Sequence, residues 1–194
     1  YEPGGIGWSD AFEDYQAVNR AVARAVIAEA SVDEGNAEDG VEIHLQDYHL
    51  LTAAPVIREA LPEARILLYI HTPWVHPTYL RRLPDPMVEA ILDGLAACDL
   101  VGISAPEWSA GLRASMSATG SDGADPEQVR TPAGSTLVRD FVLGIDSEGL
   151  EQVASSEAAR EERRALREAI GERRLIVRAD RTDLSKNILR GLQA

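Results

Sequence analysis

Four short polar segments are candidate sites, and three of them carry titratable side chains that could bind a sugar or a phosphate. The four segments are Asp47-Tyr48-His49, His71-Thr72-Pro73-Trp74, Gly144-Ile145-Asp146 and the stretch from Asp180 to Lys186. An aspartate such as Asp47 accepts hydrogen bonds from a hydroxyl or an ammonium group, and His71 can donate one to a hydroxyl or to a developing charge. The competing interpretations are structural: Asp47 would cap a helix, and His71 would be a hydrogen-bonded imidazole in the core.

Two cations in the last of these segments suit a diphosphate group. Lys186 comes five positions after Arg181, and the segment joins an apolar stretch to the beginning of a helical pattern. Such a turn can aim both cations at one point, and the amide groups of the first helical turn add donors for an anion. The arrangement would neutralise a departing nucleoside diphosphate. The competing interpretation is a pair of ordinary exposed cations, which are common on protein surfaces.

The remaining reactive side chains predict neither a metal site nor a cofactor site. His44, His49, His71 and His76 have neither the HExxH spacing nor the Cys/His spacing of a zinc site. Cys98 stands alone, so it cannot form an internal disulfide, and we expect a small buried side chain rather than a nucleophile. The sequence contains no GxSxG, Walker A or GxGxxG motif. We therefore expect no metal and no cofactor.

The charge of the chain limits its partners. Of 194 residues, 19 are Lys or Arg and 32 are Asp or Glu, which gives a formal net charge of −13. This charge repels nucleic acid and anionic lipid at long range. No stretch approaches the roughly 18 consecutive apolar residues that indicate a membrane-spanning helix. We expect small-molecule substrates, no nucleic acid, no membrane and a cytoplasmic location, and a homodimer is left open.

Helical and strand patterns alternate along the chain. Helical spacing covers residues 12–27, 50–60, 87–97, 106–116 and 155–171, and strand-like runs cover 41–46, 65–71, 99–103, 136–143 and 174–179. The nearly continuous apolar run from Arg65 to His71 is typical of a central parallel strand covered on both faces. The alternation predicts an α/β fold, a Rossmann-like parallel sheet with helices on both faces. Ligands of such folds bind at the carboxyl ends of the strands, where the four polar segments lie.

The order of the motifs resembles the trehalose-6-phosphate synthase family, glycosyltransferase family 20. Nearly the whole chain takes part, through Phe12-x-x-Tyr15-x-x-Val18-Asn19, Gln46-Asp47-Tyr48-His49-Leu50, Tyr69-Ile70-His71-Thr72-Pro73-Trp74, Leu83-Pro84, Cys98-Asp99-Leu100-Val101-Gly102, Gly144-Ile145-Asp146 and the Arg181 to Lys186 turn. The resemblance implies part of a two-domain GT-B glycosyltransferase. Residues 1–148 would form most of the N-terminal acceptor-side domain, with 117–135 as a flexible loop or hairpin. Residues 149–194 would be a connecting helix and the truncated start of the C-terminal nucleotide-donor domain.

The resemblance also implies roles for five residues. Those matching Asp47 and Tyr48 contact the acceptor, the one matching His71 contacts the donor sugar or cyclitol, and those matching Arg181 and Lys186 bind the donor diphosphate. The implied reaction is retaining and uses no protein nucleophile: the diphosphate departs and the acceptor attacks from the same face. Asp47, His71, Arg181 and Lys186 would form the catalytic set. Because the chain ends within a helical pattern, we expect an internal piece that is inactive alone.

Departures from the family pattern indicate an unusual acceptor. The family's Asp-Arg-Leu-Asp-Tyr-x-Lys-Gly turn reads Asp180-Arg181-Thr182-Asp183-Leu184-Ser185-Lys186-Asn187, and Thr72 and Trp74 replace an aliphatic residue and a phenylalanine. This variant resembles the pseudo-glycosyltransferases of validamycin antibiotic biosynthesis, typified by validoxylamine A 7′-phosphate synthase. Such an enzyme joins GDP-valienol to validamine 7-phosphate through a C–N bond, and we predict this reaction. The alternatives are transfer of glucose to glucose 6-phosphate and a non-catalytic sugar-phosphate-binding domain.

Overall fold

The computed structural model describes residues 7–33, 40–117, 127–131, 134–183 and 186–193. Contacts divide the chain into two units, Tyr1–Leu143 and Gly144–Ala194. The family resemblance implied a domain boundary of the complete enzyme between residues 148 and 149, and that boundary stays a prediction.

The first unit alternates helices and strands. Its helices are α1 (Trp8–Asp33), α2 (Ala54–Ala60), α3 (Pro77–Leu80), α4 (Asp85–Ala96) and α5 (Pro106–Met116), and a 3₁₀ turn covers Tyr48–Leu50. Its strands are β1 (Glu42–Gln46), β2 (Arg65–Ile70), β3 (Leu100–Ile103), β4 (Gln128–Thr131) and β5 (Gly134–Asp140). The strand β4 lies in segment 117–135, where the composition predicts a loop or hairpin, and it pairs antiparallel with β5. Residues 118–126 and 132–133 of that segment lie outside the described residues.

The five strands form one sheet in the order β1-β2-β3-β5-β4. The pairs β1–β2, β2–β3 and β3–β5 are parallel, so these strands bring their carboxyl ends to one edge. In the register of β1 and β2, Gln46 lies beside Tyr69. The residues that follow the two strands therefore leave the sheet side by side. The expected α/β fold is confirmed, and its sheet is parallel except for the edge strand β4.

A buried apolar core holds this sheet against its helices. Its largest fully buried side chains come from the central strands and from α2, α4 and α5: Ile57, Ile66, Leu68, Ile70, Leu95, Val101, Ile103 and Leu112. Burial of one such side chain is worth about 1.5–3 kcal/mol, so packing explains the apolar run in β2. Cys98 lies in the same core, as predicted, and burial raises the pKa of its thiol to about 12.

The second unit contains three helices in its described residues: α6 (Ser147–Ala154), α7 (Glu157–Ile170) and α8 (Ile188–Gln193). Within this unit α7 confirms the helix predicted over residues 155–171, and it is exposed along most of its length. Asp146 begins α6, because its carboxylate accepts a hydrogen bond from the backbone N–H of Gly149 at 2.8 Å. No helix in the described parts of either unit has the length and apolar character needed to cross a membrane.

One strand prediction is wrong. Residues 174–179 have no regular secondary structure and pair with no strand among the described residues, and Ile176 and Val177 are 92% and 74% exposed. An apolar, β-branched run forms a strand only where a neighbour accepts and donates its backbone hydrogen bonds. The strand predicted over residues 136–143 is found as β5, which ends at Asp140. Asp146, in the polar segment after it, is the N-cap of α6.

Candidate functional site

Asp47 leaves β1 in a backbone conformation that is rare for any residue but glycine. Its φ of 70° and ψ of 173° lie in a region that costs roughly 1–3 kcal/mol for other residues. The Asp47 N–H donates to the Tyr69 carbonyl at 2.7 Å, and the Asp47 carbonyl accepts from the Leu50 N–H at 3.2 Å. The neighbouring strand and the 3₁₀ turn therefore hold this strained residue at the carboxyl edge of the sheet.

The Asp47 carboxylate turns toward the end of β2. Its Oδ1 accepts a hydrogen bond from the backbone N–H of His71 at 3.1 Å, and its Oδ2 lies 3.8 Å from Nδ1 of His49. No side-chain hydrogen bond joins Asp47 to the following turn, so the helix-cap interpretation is wrong. The carboxylate remains 20% exposed, which leaves a fixed negative charge within reach of a ligand.

The His71 side chain lies at the surface beside Asp47. Its Nε2 is 2.9 Å from Oε1 of Gln46, and its ring meets the Tyr69 ring edge-on with centroids 4.7 Å apart. Because a carbonyl oxygen can only accept, this contact favours the tautomer that carries a proton on Nε2. The imidazole is exposed, so its interpretation as a core residue is wrong.

An aromatic pair adjoins the Asp47 carboxylate. The Tyr48 and His49 rings stack with centroids 4.1 Å apart, and Tyr48 is 46% exposed. The pair offers apolar ring surface next to a hydrogen-bond acceptor, a combination that suits a sugar ring with its alternating C–H and O–H groups. The structure thus brings together three predicted site residues of the first unit: Asp47, Tyr48 and His71.

Two residues of α1 fasten the turn that follows Asp47. The Tyr15 hydroxyl donates to the Tyr48 carbonyl at 2.7 Å and accepts from the Leu51 N–H at 2.9 Å. Burial raises the pKa of Tyr15, so its hydroxyl keeps the proton that it donates. The Asn19 amide bonds to the same turn. Outside the family resemblance, the only sequence signal for these two residues is their spacing of four, which puts them on one helical face.

Trp74 is held by α5. Its indole Nε1 donates to the Ser115 hydroxyl at 3.0 Å, and its ring packs against the core. The Ser115 hydroxyl in turn donates to the Gly111 carbonyl at 2.9 Å. The tryptophan therefore anchors the loop after His71, and these contacts explain this departure from the family pattern by packing.

The second unit carries the two predicted diphosphate ligands. The Arg181 side chain is 83% exposed, with Nε 3.5 Å from the Asp183 carboxylate. The Lys186 N–H donates to the Asp183 carbonyl at 3.2 Å, so both cations belong to one turn. Two residues of this turn, Leu184 and Ser185, lie outside the described residues.

A third cation ties this turn to the preceding segment. The Arg178 guanidinium pairs with Asp180 at 2.5 Å and donates to the carbonyls of Lys186 and Asn187. Arg178, Lys186 and Arg190 line one open cavity of about 570 Å³. This cavity thus collects positive charge around Lys186, although the whole chain is strongly acidic, and Arg181 is not among its lining residues.

The described residues contain no group of three or more His, Cys, Asp or Glu side chains that could hold a metal ion. His44 contacts Glu42 at 2.6 Å, and His76 contacts Thr78 at 2.9 Å. The histidines thus have local partners in separate parts of the first unit.

Comparison with known proteins identifies the family. The model of glycosyltransferase family 20 matches residues 8–194. The chain belongs to glycosyltransferase family 20. The chain is 32% identical over 182 residues to a bifunctional trehalose-6-phosphate synthase/phosphatase of Thermoproteus tenax. This alignment covers 93% of the chain and 24% of that protein. The chain is 28% identical over 193 residues to the UDP-forming α,α-trehalose-phosphate synthase of Schizosaccharomyces pombe, covering 97% and 36%.

Solved structures of this family 20 group share the fold of the chain. The α,α-trehalose 6-phosphate synthase of Burkholderia multivorans superposes with a TM-score of 0.73 at 25% identity, covering 97% of the chain and 39% of that structure. The Burkholderia xenovorans enzyme in complex with glucose-6-phosphate gives a TM-score of 0.70 at 24% identity, covering 95% and 39%. These neighbours have the expected GT-B fold. The chain spans about a quarter to two-fifths of the length of these relatives.

Proposed function

We propose that the complete protein transfers a glucosyl unit from a nucleoside diphosphate donor to glucose 6-phosphate, with retention at the anomeric carbon. The observation that carries this proposal is the pairing of Asp47 with His71 at the carboxyl edge of the sheet, in a chain that belongs to family 20. Support for the substrates comes from relatives named as UDP-forming trehalose-phosphate synthases and from a neighbour bound to glucose-6-phosphate. The UDP-sugar is therefore the first donor to test.

The first unit would orient both substrates. Asp47 would accept a hydrogen bond from the attacking hydroxyl and align its oxygen lone pair with the anomeric carbon. The Tyr48 ring would pack on the acceptor, and the His71 imidazole, oriented by its hydrogen bond to Gln46, would contact a hydroxyl of the donor sugar. Because attack and departure use the same face, the leaving phosphate oxygen lies close enough to accept the proton of the attacking hydroxyl.

The second unit would stabilise the leaving group. Negative charge grows on the diphosphate as its bond to the sugar breaks, and the charges of Arg181 and Lys186 bind this developing charge more tightly than the ground state. Arg178 would act on Lys186 indirectly, because its guanidinium holds the carbonyl of that residue. No protein nucleophile takes part in this mechanism.

The second candidate is C–N coupling of an unsaturated cyclitol donor to an aminocyclitol phosphate, giving validoxylamine A 7′-phosphate. It is favoured by the departures at Thr72, Thr182 and Leu184, of which Leu184 lies outside the described residues. Trp74 no longer supports it, because the contact with Ser115 accounts for that substitution. In this reaction Asp47 would hold the amine as an ammonium group and take up one of its protons. The free amine nitrogen would then attack the allylic cation that forms as the diphosphate departs.

Product analysis of the full-length protein separates the candidates. One reaction receives UDP-glucose or GDP-glucose with glucose 6-phosphate, the other receives GDP-valienol with validamine 7-phosphate, and products are identified by mass. Trehalose 6-phosphate supports the first candidate, and a nitrogen-bridged product alone supports the second. Donor binding without turnover of either pair supports a non-catalytic sugar-phosphate-binding domain. Asp47→Asn, which removes the charge but keeps the shape, should abolish turnover of the preferred pair.

A further inference from the structure

Helix α1 reaches the acceptor-side turn with two polar side chains. Asn19 is fully buried and Tyr15 is half-buried, on the same face of the helix. A buried amide is costly unless its hydrogen bonds are made. Asn19 makes three: Nδ2 donates to the Tyr15 and His49 carbonyls, both at 2.9 Å, and Oδ1 accepts from the Thr52 N–H at 3.1 Å.

The two side chains form hydrogen bonds to different backbone groups of the turn. Tyr15 bonds to the carbonyl of residue 48 and the N–H of residue 51, and Asn19 bonds to the carbonyl of residue 49 and the N–H of residue 52. These four groups all lie within five residues after Asp47. The helix therefore fixes the path of the chain directly behind the candidate acceptor ligand.

The strained backbone of Asp47 needs this attachment on its C-terminal side. A non-glycine residue at a φ of 70° and ψ of 173° persists only where the surrounding structure holds it. The chain before Asp47 is held by pairing of β1 with β2. The chain after it is a short 3₁₀ turn, whose own hydrogen bonds are few, so the bonds from α1 supply the second point of attachment.

We propose that Tyr15 and Asn19 are positioning residues that hold Asp47 in its strained conformation and thereby set the geometry of acceptor binding. The proposal rests on the proposed function in one respect, the assignment of the acceptor to Asp47. A role limited to docking α1 on the domain would affect stability only. A positioning role changes the kinetic constants for the acceptor and leaves the KM for the donor unchanged.

Two variants of the full-length protein test the proposal. Tyr15→Phe removes one hydroxyl and keeps the ring. Asn19→Asp keeps the acceptor for Thr52 but puts an oxygen in place of the two donors. Matched controls are Tyr79→Phe, at a tyrosine that is 59% exposed, and Gln16→Glu, the same amide-to-carboxyl change on the same helix.

We expect kcat/KM for the acceptor to fall about 10-fold or more in Tyr15→Phe, because the substitution removes both hydrogen bonds that the hydroxyl makes to the turn. In Asn19→Asp the fall should be on the order of 10²-fold, as for a misplaced reacting group. The KM for the donor should stay unchanged, and both controls should match the wild type. Protonation of the introduced carboxyl restores a donor, so the loss in Asn19→Asp should shrink as the pH falls, a trend absent from Gln16→Glu.

Hydrogen–deuterium exchange gives a readout that needs no turnover. The peptide spanning residues 47–53 should exchange faster in both variants than in the wild type and the controls. Wild-type exchange and wild-type acceptor constants overturn the proposal, as does a loss of thermal stability without a change in these constants. If Asn19→Asp does not fold, Tyr15→Phe decides alone. A wild type that turns over no substrate pair overturns the proposed function, and the exchange measurement still decides whether the two residues hold the turn.

Discussion

Gly94 of α4 packs directly against the turn that follows the acceptor-side residues, and its replacement by alanine should disturb that turn. A Cβ at this position would lie 1.7 Å from the Leu51 carbonyl oxygen and 2.8 Å from the Leu51 carbonyl carbon. Ordinary contacts begin at 3.4 Å, twice the first distance. Both Leu51 atoms belong to the backbone, so no side-chain rotation can remove the clash.

Two opposing effects set the size of the loss in Gly94→Ala. Alanine is favoured over glycine in a helix interior by about 1 kcal/mol. Overpacking of a close contact costs about 1–3 kcal/mol, and the upper end applies here because α4 or the Leu51 backbone must move. We expect a net loss of about 2 kcal/mol in the free energy of unfolding. Since the Leu51 N–H bonds to Tyr15, kcat/KM for the acceptor should fall as well.

Chemical unfolding of the full-length protein measures this loss. The matched control is Gly144→Ala, because a Cβ at Gly144 meets no atom within 4 Å and the residue has no positive φ. This control should stay within about 0.5 kcal/mol of the wild type. The reasoning is refuted if Gly94→Ala is as stable as Gly144→Ala and keeps wild-type kinetics with the acceptor.

Further predictions concern the charged groups, the thiol and the strained aspartate. Arg181→Ala and Lys186→Ala should each lower kcat on the order of 10²-fold, because each removes charge that stabilises the leaving diphosphate. The control Arg164→Ala, on the exposed helix α7, should leave kcat unchanged. Steady-state turnover of the three variants measures these effects. Chelation of divalent ions should leave the rate nearly unchanged, and a loss restored only by added metal would contradict this. The Cys98 thiol, whose pKa burial raises to about 12, should resist alkylation at pH 8 until the protein is unfolded, as mass analysis of labelled protein would show. Asp47→Gly should be at least as stable as Asp47→Ala in thermal unfolding, because glycine adopts a φ of 70° without strain.

Local pattern was sufficient to predict most of the first unit. The apolar run at Arg65–Ile70 identifies a strand covered on both faces, and the spacing of apolar residues from Phe12 to Ile27 identifies α1. These predictions succeed because the spacing of apolar residues within one element indicates which face of a helix, or which strand, is buried. Polar residues directly after the strands could likewise be assigned to the carboxyl edge of the sheet, as Asp47 and His71 demonstrate.

Partners distant in the chain decided the rest. Residues 174–179 have the composition of a strand, but a strand needs hydrogen bonds from a neighbour, and none of the described residues supplies them. The positive φ of Asp47 and the attachment of its turn to Tyr15 and Asn19 depend on contacts that span more than thirty residues. The sequence by itself therefore determined most elements of the first unit and which residues lie at the edge of its sheet, because both follow from periodicity. Tertiary structure alone decided how those residues are oriented. Their orientation depends on hydrogen bonds between distant segments, and a local sequence pattern does not predict such bonds.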